Sequence, residues 1–231
     1  MHFTTAIFDM DGTLFDTERI AIDAWQTAFR AHGVEVTAQT LETVIGVELK
    51  GTQAFLSRFA PAGVDIDDLT REARAIRNSY VERHGLPVKP GAVELLNFLK
   101  ERGTTIGLAS TTWTEHALEN LERAGITAYF RVIIGGDQVE KCKPHPEIYL
   151  KALGELGGRP EMTIAIEDSD HGIHAAFAAG LRVIHIPDIK RIDEETRGCV
   201  HRQYATLLEF RDVLQGTAGL GATEVYDSGK Q

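Results

Sequence analysis

The chain has 231 residues, 43% of them hydrophobic and 25% charged, enough apolar material for one large domain or a core with a smaller insertion. Its 24 basic and 34 acidic residues give a formal charge of −10, which repels polyanions and sets nucleic acid aside as a main partner. Two cysteines without CxxC or Cys/His ligand spacing argue against a disulfide scaffold or a zinc site. The sequence lacks an apolar run of the roughly 18 residues that a bilayer span needs. With no basic region followed by an apolar leader at the start, a soluble cytoplasmic protein with reduced thiols and no membrane partner is expected.

The first element is a short apolar, β-rich run, Phe3 to Phe8, that stops at Asp9-Met10-Asp11-Gly12-Thr13. From about Glu18 to Gly85 the periodicity is helical, carried by Ile22, Trp25 and Phe29 and later by Phe55, Leu56 and Phe59, with breaks at Gly33 and Pro61-Ala62-Gly63. After Lys89-Pro90-Gly91 the pattern alternates. Helices are expected over 92–102, 115–124, 147–156 and 172–179. Each precedes a strand, over 104–109, 131–134, 163–166 and 182–186 respectively. Alternating strands and helices imply a parallel sheet covered on both faces, an α/β core of Rossmann-like type. The predicted organisation is a core of residues 1–16 and 87–215, an all-helical insertion over 17–86, and a Gly- and Thr-rich mobile tail over 216–231. In such sheets ligands bind where strands end. Asp9 and Asp11, Ser110, and Glu167 with Asp168 all fall at predicted strand ends.

Asp9 and Asp11 lie two residues apart, so both carboxylates can face one cavity. Adjacent carboxylates repel unless a cation bridges them or one holds a proton. Both conditions suit phosphoryl transfer, in which one carboxylate attacks phosphorus and the other moves a proton. Gly12 lets the loop amides approach an anion. Taken alone, the pair is equally a strand ending in a carboxylate-rich turn with Asx-type hydrogen bonds.

The longer string AIFDMDGTLFDTE resembles the first motif of the haloacid dehalogenase superfamily, and three further segments follow in that family's order. Ser110, closing IGLAS, resembles the hydroxyl that binds the transferring phosphoryl group, with Thr111 beside it. Lys143 in KPHPEIY resembles the ammonium of the third motif. Glu167-Asp168-Ser169 in TIAIEDSDHG resembles the acidic pair that holds magnesium. The resemblance implies Asp9 as nucleophile, Asp11 as general acid and base, and phosphate binding by Ser110, Thr111, Lys143 and Gly12. It implies Mg²⁺ held by Asp9, the Asp11 carbonyl, Asp168 and Glu167, the last directly or through water. Each later residue also has an ordinary reading: Ser110, Asp168 and Ser169 as helix caps, and Lys143 as a solvated cation, as Lys141 is expected to be. His171 and His174, at i, i+3 spacing, are read as helix-surface residues, and Cys142 as no nucleophile.

The helical insertion resembles the cap of the phosphoglycolate phosphatase and beta-phosphoglucomutase branch, which implies a magnesium-dependent phosphatase acting on a small phosphorylated metabolite, sugar phosphates first. A phosphosugar mutase is the alternative. Against it, the segment Ile45-Gly46-Val47-Glu48-Leu49 lacks the basic and hydroxyl positions of the mutase grip, and Ala21 stands where a histidine is expected. A more distant alternative is a retired scaffold that only binds. Arg19, Glu48, Lys50 and Thr52 are the cap residues polar enough to meet a sugar, and a monomer is the default.

Overall fold

The computed structural model describes residues 1–44 and 49–216, with backbone only at residues 49 and 50. Ile45-Gly46-Val47-Glu48, the Lys50 side chain and the tail from residue 217 lie outside these described residues. In chain order the elements are β1 (Thr5–Phe8), α1 (Thr17–Ala31), α2 (Ala38–Glu42), α3 (Leu49–Leu56), α4 (Ile66–His84) and α5 (Ala92–Glu101). There follow β2 (Thr105–Ala109), α6 (Thr114–Arg123), β3 (Val132–Ile134), α7 (Glu147–Leu156), β4 (Thr163–Glu167) and α8 (Asp170–Ala178). The last are β5 (Arg182–His185), α9 (Glu194–Arg197), β6 (Arg202–Gln203) and α10 (Leu207–Gln215). The chain divides into two compact units, Met1–Phe15 with Val88–Gln231, and Asp16–Pro87.

In the first unit six parallel strands run in the order β3-β2-β1-β4-β5-β6. Every residue of β1 and β4 is buried, as a sheet covered on both faces requires. Ile7, Ala109, Ala165 and Val183 share one face and form a single apolar cluster with Ile148, Tyr149 and Ala152 of α7 and Ile173 and Ala176 of α8. Their neighbours in sequence, Phe8, Leu108, Ile166 and Ile184, point the other way and are fully buried. β1 is flanked by β2 on one side and β4 on the other, so the strand order reverses there. The carboxyl ends of β1 and β4 therefore border the topological switch point, where open α/β sheets leave a crevice.

Five of the six strands coincide with predicted ones, shifted by one or two residues at an end. β6, α9 and α10 had no counterpart among the predicted elements. β6 is two residues long and exists only through its pairing with β5, so it offers no alternation to read.

Among its described residues the second unit's elements are all helices. α1 and α4 pack along one another, and Ile20, Ala24 and Ala28 of α1 and Leu69 and Ala73 of α4 are all buried. His32 Nε2 lies 2.9 Å from Glu72, a further tie between α1's end and α4. α4 begins at Asp65, whose carboxylate accepts from the Asp67 amide at 2.9 Å, and stops at Gly85, whose φ of 71° only glycine adopts readily. Among the described residues no helix is long and apolar enough to cross a membrane.

His185 closes β5 as a buried imidazole. Its Nδ1 lies 3.2 Å from Gln203 Oε1, and among the described residues its Nε2 has no hydrogen-bond partner. Burial holds its pKa below the usual histidine value, outweighing the opposing pull of Gln203, Asp168 and Glu167. The unfolded chain takes up a proton here near pH 6.5 and the fold refuses it until lower pH. Stability contributed by neutral His185 is therefore complete above that pH and lost as pH falls toward the folded value. Urea denaturation at pH 7.5 and 5.5 should show a steeper acid loss for wild type than for His185→Gln.

Candidate active site

Asp9 follows the last residue of β1, and its amide still donates to the Ile166 carbonyl of β4 at 3.0 Å. This continuation of the sheet ladder fixes the carboxylate at the switch point, where the residue is 6% exposed. Glu167, the last residue of β4, has no exposed surface. Between them sits Lys143, whose Nζ donates to Asp9 Oδ1 at 2.5 Å and to Glu167 Oε1 at 2.7 Å. Its side chain is only 5% exposed, whereas Lys141 is exposed, so the lysine singled out in the sequence is the buried one.

Glu167 is heavily engaged. Oε1 also accepts from the Tyr149 hydroxyl at 2.7 Å, and Oε2 from the Asp168 amide at 3.2 Å, the Ser169 amide at 3.4 Å and the Ser169 hydroxyl at 3.2 Å. Its geometry is that of an anchor for Lys143. Ser169 also caps α8 by accepting from the Gly172 amide at 3.2 Å, so its cap reading holds. Ser110 has no such role in α6, which begins at Thr114 with Trp113 in the N-cap position. Instead the buried Ser110 Oγ accepts from the Thr112 amide at 3.1 Å. Thr111 is exposed beside it.

Four residues around the site were given no functional role in the sequence reading. Tyr149 reads there as a core aromatic of α7, yet its hydroxyl meets Glu167 and its ring lies 5.1 Å from Lys143 Nζ. Thr112 donates to Asp11 Oδ2 at 2.7 Å, which orients the second carboxylate. Thr13 donates to Asp168 Oδ1 at 3.2 Å. Lys89, read as part of a turn, donates to the Gly12 carbonyl at 2.8 Å and to Asp188 Oδ1 at 2.7 Å. The signal available in the sequence was spacing alone: Thr112 is two residues past Ser110, and Thr13 completes the DxDGT string.

Two glycines are demanded by this packing. Gly12 has φ +84°, and a Cβ there would land on the Asp168 carboxylate. A Cβ at Gly172 would land on the Glu167 carboxylate. Gly172→Ala should therefore displace Glu167 and cost about 1–3 kcal/mol of stability through overpacking, read as a fall in the urea midpoint, with activity reduced in parallel.

Burial pushes the Asp9 carboxyl up to about 8; Glu167 and Asp11 add to the rise and Lys143 opposes it. Burial alone would depress the Lys143 ammonium, but Asp9 and Glu167 together hold it above the usual lysine range. Burial, with Glu167 and Asp9 nearby, likewise keeps the Tyr149 phenol protonated and donating. The site thus carries more negative charge than one lysine neutralises. Ligand atoms of Asp9, Glu167 and Asp168 all lie within 4.8 Å of one another, forming the only such metal-sized group among the described residues. Hard oxygen donors with uncompensated charge fit Mg²⁺. The histidines stand apart from this group. His171 is exposed, and His174 contacts Thr196 Oγ1 at 3.0 Å and Cys199 Sγ at 3.8 Å. Cys142 is an exposed free thiol. In the helical unit Arg19 pairs with Asp16 at 2.7 Å, and Thr52 is buried with its hydroxyl 3.5 Å from the Val44 carbonyl.

A parallel Rossmann-like sheet with carboxylates and a buried lysine gathered at its switch point defines an α/β enzyme core with its site at the strand ends. The chain belongs to the haloacid dehalogenase-like hydrolases, whose family model matches residues 6–186. It is 33% identical over 179 residues to a phosphorylated carbohydrates phosphatase of Thermotoga maritima, covering 78% of this chain and 82% of that protein. A crystal structure of CbbY from Rhodobacter sphaeroides in complex with xylulose-(1,5)bisphosphate superposes with a TM-score of 0.69 at 31% identity, over 90% of this chain and 96% of that one. A family hydrolase from Deinococcus radiodurans, with bound phosphate and sodium, superposes with a TM-score of 0.80 at 25% identity, over 93% and 96%.

Proposed function

We propose that the chain is a magnesium-dependent phosphatase that hydrolyses small phosphate monoesters of carbohydrates through an aspartyl-phosphate on Asp9. The observation that carries the reading is the buried Lys143 held between Asp9 and Glu167 at 2.5 and 2.7 Å, with Asp168 beside them. A phosphoester brings about two more negative charges, which such a site accepts only with fixed countercharge. The phosphorylated-carbohydrate phosphatase and the sugar bisphosphate bound to CbbY support the substrate class.

In this reading an Asp9 carboxylate oxygen attacks phosphorus while Asp11, steadied by Thr112, protonates the leaving alcohol. Asp11 then removes a proton from the water that cleaves the acyl phosphate, which regenerates Asp9. Ser110 Oγ accepts from the Thr112 amide, so its own proton is left to donate to a phosphoryl oxygen, beside Thr111, Lys143 and the Gly12 loop. Mg²⁺, held by Asp9, Asp168 and the Asp11 carbonyl with Glu167 behind them, would neutralise the charge of nucleophile and phosphate. The helical unit Asp16–Pro87 serves as the cap that sets specificity.

The test is a panel of phosphorylated metabolites scored by kcat/KM with Mg²⁺ and after chelation by EDTA. Release of inorganic phosphate from sugar phosphates, lost on chelation and restored by Mg²⁺, is the expected result. Conversion of beta-glucose 1-phosphate to glucose 6-phosphate without phosphate release would replace hydrolysis with mutase activity. Turnover unaffected by EDTA would remove the metal from the mechanism.

A further inference from the structure

The loop that carries Asp9 and Asp11 is gripped from outside its own segment by Lys89. Within the segment the Leu14 and Phe15 amides both donate to the Met10 carbonyl, at 2.9 and 3.0 Å, and the Gly12 amide donates to the Phe15 carbonyl at 2.9 Å. The Gly12 carbonyl instead accepts from the Lys89 ammonium, 77 positions further on, at 2.8 Å. Gly12 has φ +84°, and glycine lets its flanking peptides turn more freely than any other residue. A bond to its carbonyl therefore removes freedom that the local sequence leaves open. Both neighbours of Gly12 bear on the site. Asp11 precedes it, with Oδ2 held by Thr112, and Thr13 follows it, with its hydroxyl on Asp168 Oδ1.

Lys89 is itself firmly placed. It opens the turn Lys89-Pro90-Gly91-Ala92, in which the Ala92 amide donates to the Lys89 carbonyl at 3.1 Å and Gly91 has φ 87° and ψ −8°. Proline at the second position and a positive-φ glycine at the third are what a type II turn requires. The Lys89 amide donates to the Leu14 carbonyl at 2.8 Å, so the backbone is fixed on both sides. Its ammonium is steadied by Asp188 Oδ1 at 2.7 Å, and the two side chains are 13% and 3% exposed. Taking two charges out of water gains little for a fold, since apolar residues of similar volume often serve as well. A buried pair that also spends a proton on the Gly12 carbonyl fixes one particular geometry of the loop.

We propose that Lys89, anchored by Asp188, is a positioning residue for Asp11: by fixing the Gly12 carbonyl it sets the Asp11 carboxyl where it protonates the leaving oxygen. Lys89 acts through the loop and touches no substrate. The role rests on the proposed function, in which Asp11 is the general acid. Without the contact, proton donation is misplaced, and that matters more the more basic the leaving oxygen is.

Lys89→Met removes the ammonium, and Lys89→Met/Asp188→Asn removes it without stranding a buried carboxylate, with circular dichroism as the check on folding. The ratio kcat/KM covers the steps through departure of the alcohol. It is compared for phenyl phosphate, whose leaving oxygen needs the proton, and p-nitrophenyl phosphate, whose leaving oxygen needs it far less. In both variants kcat/KM should fall at least about tenfold further for phenyl phosphate, with part of the loss recovered in Lys89→Arg, which keeps the charge and the donors. Independently of activity, amide hydrogen exchange over residues 12–15 should quicken at least about tenfold in the double variant. An equal fall for the two esters overturns the proposal by making Lys89 a structural tie alone. Unchanged loop exchange in a folded double variant overturns it as well, because the loop then needs no tie. Should wild type hydrolyse no phosphate ester, the proposed function fails, and loop exchange still decides whether Lys89 holds the Gly12 carbonyl.

Discussion

Asp9→Asn is expected to lower Mg²⁺-dependent turnover of a phosphate monoester by at least about a thousandfold, measured as kcat on p-nitrophenyl phosphate. The amide matches the carboxylate in shape but cannot form the acyl phosphate. The fold should hold or gain stability, because Asp9 is a buried carboxyl crowded by Glu167 and Asp11 and pushed up to about 8. Unchanged denaturation with lost turnover separates a chemical role from a structural one. Turnover that survives undiminished would mean the nucleophile lies elsewhere.

Lys143→Met should damage both activity and stability. The ammonium ties Asp9 to Glu167, its side chain is 5% exposed, and those of Asp9 and Glu167 are 9% and 0% exposed. Removing one partner from a buried ion pair typically costs about 3–5 kcal/mol, since the remaining charges are left uncompensated. The variant should therefore show a large fall in urea midpoint together with loss of turnover. Low pH should restore part of the stability, because a protonated Asp9 no longer needs its partner: with its carboxyl raised above the unfolded value, the folded state favours the proton as pH falls. An unaltered urea midpoint would show that Lys143 is not the electrostatic keystone its contacts imply.

The sequence was a good guide wherever a local pattern carried the information. β1 and β4 are apolar runs that end in acids, and α7 begins and ends where its periodicity does. Asp9, Lys143 and the adjacent pair Glu167 and Asp168 lie far apart in the chain, and their shared identity came from motif order. What a local pattern does not contain is partnership. Tyr149 has the spacing of a core residue, and only the packing of α7 against the sheet turns its hydroxyl toward Glu167. Lys89 and Asp188 are separated by 99 positions, and nothing in either neighbourhood announces their 2.7 Å contact.

The sequence by itself determined the architecture of the core and the kinds of residue at its strand ends. Strand and helix periods, turn residues and burial patterns are properties of neighbouring positions, and they are legible without coordinates. Tertiary structure alone decided which carboxylate would be anchored and which would be crowded. Glu167 is held by a phenol, an ammonium and two backbone amides, whereas Asp9 has one ammonium and two acidic neighbours. The carboxylate pair with which the chain begins is common in turns. What sets Asp9 apart is desolvation and field, and those exist only once the sheet brings distant charges within a few ångströms.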